Sequence, residues 1–275
     1  MTVQTALQQG CKLLEEAGVP APRLTAEVLL GHALGCERPY LYSHPEEELG
    51  DSVRLDYGRY LQERLQGRPT QYITGRQEFY GREFLVNPDV LIPRPETEHV
   101  IEAVLALNSG ARRVVDVGCG SGAIAVTLRL EMQADVWATD ISFAALAVAA
   151  HNARRLNAQV CFMACDLASA IGPGIMDMVV SNPPYVARRD ASGLQREVRN
   201  YEPHVALFAG ETGLELYARL VGDAERILRP GGALVMELGF KTSELVREML
   251  APPWRDVRIV PDLAGIPRVL AARIG

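Results

Sequence analysis

The sequence lacks any stretch that could cross a membrane or direct export. No apolar run reaches the roughly 18 residues that a transmembrane helix needs, and the opening MTVQTALQQGCKLLEE has neither a basic start nor an unbroken apolar stretch. Cysteine is also scarce, since there are five and no two of them form a C-x-x-C pair. Neither a disulfide framework nor a zinc knuckle is indicated. We therefore expect reduced thiols, no membrane partner and a cytoplasmic location.

Positive charge is in deficit, because 28 Lys and Arg residues stand against 34 Asp and Glu residues and give a formal net charge of −6. Nonspecific affinity for nucleic acid depends on counterions that are released at Lys and Arg. The balance argues against nucleic acid as a direct partner, although a local basic face is compatible with it. The five histidines show no metal-ligand spacing, so no metal site is predicted.

The chain has enough apolar residues for one large domain or two modest ones, with 48% hydrophobic residues among 275. Its first part has helical periodicity, from Ala26 to Leu34 and again from Val53 to Leu65, the latter behind a predicted cap at Asp51. We predict a helical domain over residues 1–70 and, where short apolar pieces are broken by glycine and proline, a linker or β-hairpin over residues 71–92.

Residues 93–275 alternate apolar runs with helical patterns, and we predict that they form one domain. The predicted strands are RVVDV at 113–117, DVWATD at 135–140, QVCFMACD at 159–166, MDMVVSN at 176–182, ALVMEL at 233–238, and two short runs near 257–260 and 268–272. Strands that are apolar throughout and separated by helices predict a mostly parallel sheet covered on both faces, an α/β fold.

A glycine-rich turn follows the first of these strands and opens a helix. It reads Asp116-Val117-Gly118-Cys119-Gly120-Ser121-Gly122. Glycine lets the backbone bend tightly and a ligand approach closely, and the helix N-terminus presents free N–H groups. A simple tight turn between strand and helix is the alternative for this motif taken alone.

Acidic residues end the next two strands, which strengthens the prediction of a nucleoside-containing cofactor. Asp140 can accept both hydroxyls of a ribose, and Asp166 can accept the exocyclic amine of an adenine beside the backbone N–H of Leu167. Asp116 can lie near the positively charged end of a methionine moiety. An NAD enzyme is the competitor, but the spacing is G-x-G-x-G and no second mononucleotide half follows. The pattern resembles the methyltransferase version of the loop.

The most specific motif is Asn182-Pro183-Pro184-Tyr185, directly after the strand MDMVV. Two prolines fix the backbone and remove two N–H donors, so the loop offers carbonyl oxygens. A planar nitrogen with two hydrogens can donate one to the Asn182 side chain and one to the Pro183 carbonyl, while its plane stacks on Tyr185. A rigid Pro-Pro turn is the alternative.

This arrangement suits methylation of an amide or amino nitrogen. An amide nitrogen is a poor nucleophile because its lone pair is delocalised. Two acceptors that pull its hydrogens toward pyramidal geometry, while the lone pair points at a sulfonium methyl, favour the transition state over the ground state.

Three further segments resemble the PrmC/HemK family of release-factor glutamine methyltransferases when they are taken with the Asn-Pro-Pro-Tyr motif. They are Gln71-Tyr72-Ile73 with Gly75, the segment Val90-Leu91-Ile92-Pro93-Arg94-Pro95-Glu96-Thr97-Glu98, and Asp262-Leu263-Ala264-Gly265-Ile266 with Arg268. The similarity extends from about Arg68 to the C-terminus, and the helical N-terminal region fits in length and kind.

The resemblance implies a Rossmann-like, seven-stranded methyltransferase domain that ends in an antiparallel hairpin, and a helical N-terminal domain that recognises the release factor. It implies the cofactor S-adenosyl-L-methionine, which leaves as S-adenosyl-L-homocysteine, and a substrate glutamine in a Gly-Gly-Gln tripeptide. It places Gly118, Cys119, Gly120, Ser121, Gly122, Asp140 and Leu167 against the cofactor, and Asn182, Pro183, Pro184 and Tyr185 against the glutamine. We expect a monomer with release factors as its protein partners.

Two other functions compete with this prediction. A nucleic-acid amino-methyltransferase would use the same turn on a flipped base, but it would need a basic channel and aromatic stacking. A degenerate methyltransferase domain kept as a binding module would be favoured by loss of Asp140 or Asn182, and both residues are present.

Overall fold

The computed structural model describes residues 1–107 and 110–275. Its contacts divide the described chain into two units. We call Met1–Arg76 with Gln195–Tyr201 the helical unit, and Gln77–Leu194 with Glu202–Gly275 the sheet unit. The limits predicted from the sequence at residues 70 and 92 remain a prediction of where the functional domains begin and end.

The helical unit begins with five helices that pack around one apolar core. They are α1 (Val3–Glu16), α2 (Pro22–Leu34), α3 (Arg38–Ser43), α4 (Asp51–Leu65) and α5 (Thr70–Thr74). Leu14, Leu29 and Leu30 are fully buried, and burial of such a side chain stabilises the fold by about 1.5 to 3 kcal/mol. The packing of α1 on α4 requires Gly10, because a Cβ there would lie 2.0 Å from the Tyr57 hydroxyl.

The cap predicted at Asp51 is wrong. Asp51 is the first residue of α4, and the capping position is taken by Gly50, whose backbone is extended and which makes no side-chain cap. The Asp51 carboxylate instead pairs with Arg54 one turn along the helix. It therefore lies in the first turn, where a negative charge interacts favourably with the helix dipole.

The sheet unit contains the strands of the fold. Within the predicted linker, α5 is followed by a two-stranded sheet of β1 (Arg76–Phe79) and β2 (Arg82–Leu85). The remaining strands are β3 (Arg113–Val117), β4 (Asp135–Asp140), β5 (Val160–Ala164), β6 (Met176–Ser181), β7 (Val186–Ala187), β8 (Phe208–Gly210), β9 (Leu228–Glu237), β10 (Trp254–Pro261) and β11 (Pro267–Ile274).

The helices after β2 are α6 (Glu98–Leu107), α7 (Ala123–Glu131), α8 (Phe143–Arg155), α9 (Arg196–Tyr201), α10 (Glu215–Ile227) and α11 (Ser243–Glu248). Helix α9 belongs to the helical unit. Glu197 lies 2.6 Å from the guanidinium of Arg64, and the Tyr201 hydroxyl donates to the Gln66 carbonyl at 3.2 Å. These contacts hold α9 against the end of α4.

The main sheet has seven strands in the order β10-β11-β9-β6-β3-β4-β5. Strands β3, β4, β5, β6 and β9 pair in parallel, and β10 and β11 form the antiparallel hairpin at one edge. The predicted α/β, Rossmann-like fold of seven strands with a helical N-terminal region is confirmed. The chain runs from β3 outward to β5 and then returns to β6 on the other side of β3. Ligands in open α/β sheets bind at such a switch point, beyond the carboxyl ends of the strands.

Both faces of this sheet are buried. Val114 and Val180 belong to one apolar core, and their chain neighbours Val115 and Val179 belong to the other. This alternation follows from the two-residue period of a strand and explains why the strands are apolar throughout. Among the described residues, no helix is both long and apolar enough for a membrane span.

Candidate active site

Two predicted motifs meet at the switch point of the sheet. The glycine-rich turn follows β3, and Asn182 to Tyr185 follow β6, which is the parallel neighbour of β3. The hydroxyl of Ser181, the last residue of β6, donates to the carbonyl oxygen of Val117 at 2.6 Å. The two strand ends are therefore fixed to each other just before the two motifs begin.

The glycine-rich turn has an open outer face. The N–H groups of Gly118 and Cys119 both donate to the Thr139 carbonyl, at 2.8 and 2.9 Å. Gly118 and Gly120 have φ values of +77° and +52°, and a Cβ at either would meet no atom within 4 Å. Space for a ligand therefore lies directly against the backbone of this turn.

The other residues of the turn face the protein. Cys119 and Ser121 are buried, and burial raises the pKa of the Cys119 thiol well above its ordinary value. Gly122, with a φ of +81°, lies against α8, where an added Cβ would be 3.0 Å from the Cβ of Ala149. Cys119 and Ser121 are therefore largely covered by the protein, and Gly122 is required by helix packing.

Asp140 is oriented by the turn itself. Its Oδ2 accepts from the Gly120 N–H and its Oδ1 from the Ser142 N–H, both at 2.9 Å. Each carboxylate oxygen keeps a further lone pair. The half-buried side chain is thus a rigid acceptor beside the open face of the glycine turn, as a ligand for ribose hydroxyls must be.

Asp116 lies beneath the turn. Its side chain is fully buried, its Oδ2 accepts from the Ala125 N–H in the first turn of α7 at 3.0 Å, and its Oδ1 has no hydrogen-bond partner within the described residues. Burial raises the pKa of Asp116 to about 7, and the nearby charge of Asp140 acts in the same direction. The contact that the structure gives Asp116 is therefore with α7, and its predicted role toward a cofactor stays a prediction.

Asp166 and Leu167 lie just beyond the end of β5. Asp166 is exposed, and its Oδ2 lies 2.6 Å from the guanidinium of Arg219 on α10. Leu167 has a φ of +46°, which is unusual for a residue with a branched side chain. The next N–H, of Ala168, donates to Asp223 on α10 at 3.1 Å. Helix α10 thus sets the turn in which both predicted adenine-binding residues lie.

Asn182 is held by a chain of side chains from two other segments. Its Nδ2 donates to the Thr97 hydroxyl oxygen at 3.1 Å, and the Thr97 hydroxyl donates to Glu237 Oε2 at 2.6 Å. Thr97 ends a 3-10 helix at Pro95–Thr97, and Glu237 ends β9. Both are buried, and burial raises the pKa of Glu237 to about 7.

Tyr185 is packed against glycine. A Cβ on Gly239 would lie 2.8 Å from Cδ2 of the Tyr185 ring, and a Cβ on Gly213 would lie 2.6 Å from the Tyr185 carbonyl oxygen. The hydroxyl of Tyr217 accepts from the Gly239 N–H at 2.9 Å and donates to the Glu237 carbonyl at 3.0 Å. Burial raises the pKa of Tyr185 to about 12, so this ring is a neutral phenol. Of the two prolines, Pro183 is buried and Pro184 is half-buried.

The segment from Ile92 to Thr97 is fixed at both ends. Arg94 lies 2.5 Å from Oε1 of Glu202, whose Oε2 accepts from the Ile92 N–H at 3.3 Å. Thr97 is fixed by Glu237, as described above. Glu202 is nearly inaccessible, so Arg94 compensates a buried charge and has a structural contact here.

Two contributions were not predicted from the sequence. Asn152 of α8 accepts from the Leu85 N–H at 2.8 Å and donates to the Ser121 carbonyl at 2.9 Å, which supports the glycine turn from below. Glu237 is the second, and it reaches Asn182 through Thr97. A carboxylate at the end of an apolar strand is the same signal that singled out Asp140, and it would have pointed to Glu237. Within residues 1–107 and 110–275, no group of three His, Cys, Asp or Glu side chains could hold a metal ion.

Models of two families match the chain, the PrmC N-terminal domain over residues 5–75 and the methyltransferase small domain over residues 97–198. Curated relatives named release factor glutamine methyltransferase are similar over nearly the whole length. The protein of Koribacter versatilis (strain Ellin345) is 50% identical, with 99% of each chain covered. Those of Nitratidesulfovibrio vulgaris and Bacillus subtilis (strain 168) are 43% and 40% identical, each over 99% of this chain and 95% and 98% of their own.

Solved structures share the fold at low sequence identity. A methyltransferase from Pyrococcus furiosus has a TM-score of 0.55 at 19% identity, with 72% of this chain and 91% of that chain covered. The hMettl16 catalytic domain in complex with the MAT2A 3'UTR hairpin 1 has a TM-score of 0.58 at 20% identity, with 84% and 83% covered. These similarities show the methyltransferase fold and nothing about the substrate.

Proposed function

The chain belongs to the family of release factor glutamine methyltransferases, and we propose that it methylates the glutamine side chain in the Gly-Gly-Gln motif of a peptide-chain release factor. The methyl donor in this proposal is S-adenosyl-L-methionine and the product is S-adenosyl-L-homocysteine. Methylation of this glutamine modulates translation termination.

The observation that carries the proposal is the convergence of the glycine turn and the Asn182-Pro183-Pro184-Tyr185 motif at the ends of two neighbouring parallel strands. The first motif leaves open space against its backbone, and the second offers acceptors and a ring face for a planar nitrogen. One hydrogen of the glutamine amide would go to Asn182 and the other to the Pro183 carbonyl. The 50% identity with a relative over 99% of both chains supports the same substrate, since it includes the helical unit.

The residues around the glycine turn fit the proposed cofactor. Gly118 and Gly120 leave room beside the backbone, and Asp140 has lone pairs that its two backbone contacts do not use. When bound, the cofactor supplies a methyl group on a positively charged sulfur. The Asp166 carboxylate would accept a hydrogen bond from an adenine amine through the lone pairs that Arg219 does not use. The Leu167 backbone would lie beside the adenine ring.

The helical unit, which contains the region matched by the PrmC N-terminal domain, would recognise the release factor. We place the enzyme in the cytoplasm, because release factors act there on ribosomes, and we expect it to act as a monomer.

The test is methyl transfer from labelled S-adenosyl-L-methionine to a purified, unmethylated release factor. The controls are the same factor with Gly-Gly-Ala in place of Gly-Gly-Gln, and bulk nucleic acid. Label on the intact factor alone is expected. Label on nucleic acid alone would be consistent with the assigned cofactor and catalytic turn. It would overturn the assigned substrate in favour of a nucleic-acid amino-methyltransferase.

A further inference from the structure

The side-chain amide of Asn182 has two different ends, and only one of them suits the substrate. Its oxygen can accept a hydrogen bond from an amide nitrogen that carries two hydrogens, whereas its NH₂ group cannot. The two ends have nearly the same shape, so packing alone does not select between them. A hydrogen-bond partner of fixed polarity is needed to make the selection.

Thr97 and Glu237 supply that polarity. An ionised carboxylate only accepts, so the hydroxyl that lies 2.6 Å from Glu237 Oε2 must donate its single hydrogen there. The Thr97 oxygen is then left as an acceptor, and the group of Asn182 that lies 3.1 Å away must be its NH₂. The carboxylate thus determines, through one hydroxyl, which end of Asn182 remains for the substrate.

We propose that Thr97 and Glu237 are positioning residues that fix the Asn182 amide with its nitrogen toward Thr97 and its oxygen toward the substrate nitrogen. The inference rests on the proposed function, because it assigns Asn182 an acceptor role toward an NH₂ group. It adds two residues that do not touch the substrate and that reach the site from segments far apart in the chain.

The ionisation of Glu237 controls the relay. A protonated Glu237 can donate to the Thr97 oxygen, which frees the Thr97 hydrogen for the oxygen of Asn182 and permits the reversed amide. Burial raises the pKa of Glu237 to about 7, so the correct polarity is enforced above that pH. The charged or titratable groups around it are Glu96, Arg94, Arg268, Tyr185 and Tyr217. The arginines favour ionisation and Glu96 opposes it.

The first test compares three threonine variants at pH 8 on the substrate that the wild-type protein labels. Thr97→Val keeps the shape and removes the hydroxyl, so kcat is expected to fall about 10- to 100-fold, as for loss of a buried hydrogen-bond partner. Thr97→Ser restores the hydroxyl and should stay within about threefold of wild type. Thr127→Val is the matched control, because Thr127 is fully buried and its hydroxyl has no partner among the described residues.

The second test separates a positioning role from a merely structural one. The Kd for S-adenosyl-L-methionine, measured by calorimetry, should be unchanged in Thr97→Val, so that the loss is confined to kcat and to the KM for the methyl acceptor. The kcat of the wild type should rise with pH through about 7, and in Glu237→Gln this rise should be absent, since a neutral amide can both donate and accept.

Loss of activity in Thr97→Val with rescue by Thr97→Ser supports the inference. Equal activity of Thr97→Val and Thr127→Val would overturn it, and so would an unchanged pH profile in Glu237→Gln. Because the variants are assayed on whichever substrate the wild type labels, a failure of the proposed substrate is seen in the wild type alone. A failure of the relay is seen only in the variants.

Discussion

Ser181 donates a hydrogen bond of 2.6 Å to the carbonyl oxygen of Val117, and this contact joins the ends of the two strands that lead into the glycine turn and the Asn-Pro-Pro-Tyr motif. Both residues are buried. The contact therefore sets the spacing between the place where a cofactor would lie and the place where a nitrogen would be held. Misplacement by about 1 Å at such a point can cost 10²-fold in rate.

Ser181→Ala should therefore lower the rate of methyl transfer and also lower the free energy of unfolding. Loss of one buried hydrogen bond costs about 1 to 3 kcal/mol, which urea unfolding would measure. Ser52→Ala, at an exposed position of α4, is the matched control and should change neither quantity. A variant that loses stability yet keeps the wild-type kcat would show that the contact is structural only.

Asn182→Ala should abolish methyl transfer while leaving the affinity for S-adenosyl-L-methionine nearly unchanged. The structure gives this side chain a hydrogen bond with Thr97, so its loss should remove an acceptor for the substrate nitrogen and leave the glycine turn in place. Calorimetry for the cofactor and a labelling assay for transfer measure the two effects separately. An equal loss of both would contradict the role assigned to Asn182.

The strands of the sheet could be predicted because their signal is local. Arg113–Val117 and Asp135–Asp140 were predicted with the bounds that the structure has, since a buried parallel strand is an unbroken apolar run. The relay from Asn182 to Glu237 could not be predicted in the same way. Thr97 and Glu237 are 140 residues apart, and a hydrogen bond between two side chains leaves no periodic pattern.

The ion pair between Asp166 and Arg219 could not be predicted for the same reason. The position of Asp166 at a strand end could be read from the sequence, but Arg219 lies on a helix 53 residues further along. The Asp51 prediction failed for a different reason, because a glycine and an aspartate stand side by side at the start of α4 and either is compatible with a helix start. Propensity alone did not select the glycine.

The glycines of the turn should differ in what their replacement costs. Gly120→Ala meets open space, so it should cost about 1 to 2 kcal/mol for its left-handed backbone and should weaken cofactor binding. Gly122→Ala also forces a Cβ to 3.0 Å from that of Ala149, so its loss of stability should be larger. Adding Ala149→Gly to Gly122→Ala should recover part of that loss, which a double-mutant cycle in urea measures. Simple additivity would argue against the contact.

Asp116 should make the stability of the cofactor-free protein fall as pH rises through the acid range. Its pKa is raised from 3.8 to about 7 by burial, so between these values the folded chain keeps a proton that the unfolded chain has released. The stabilising contribution is therefore fully present below about pH 4 and lost above about pH 7. A shift of about three units corresponds to on the order of 4 kcal/mol.

Asp116→Asn isolates this contribution. An asparagine oxygen can still accept from the Ala125 N–H. The cost of accommodating the asparagine NH₂ group does not vary with pH, so the pH dependence of the free energy of unfolding reports on the Asp116 carboxyl. Glu237, whose pKa is also raised to about 7, is present in both proteins and cancels in the difference. The free energy of unfolding of the variant relative to wild type should rise between pH 4 and pH 7 and be flat at pH 8. Parallel curves for the two proteins would mean that the Asp116 carboxyl is ionised in the folded chain despite its burial, and that an interaction stronger than the hydrogen bond from the Ala125 N–H stabilises the charge.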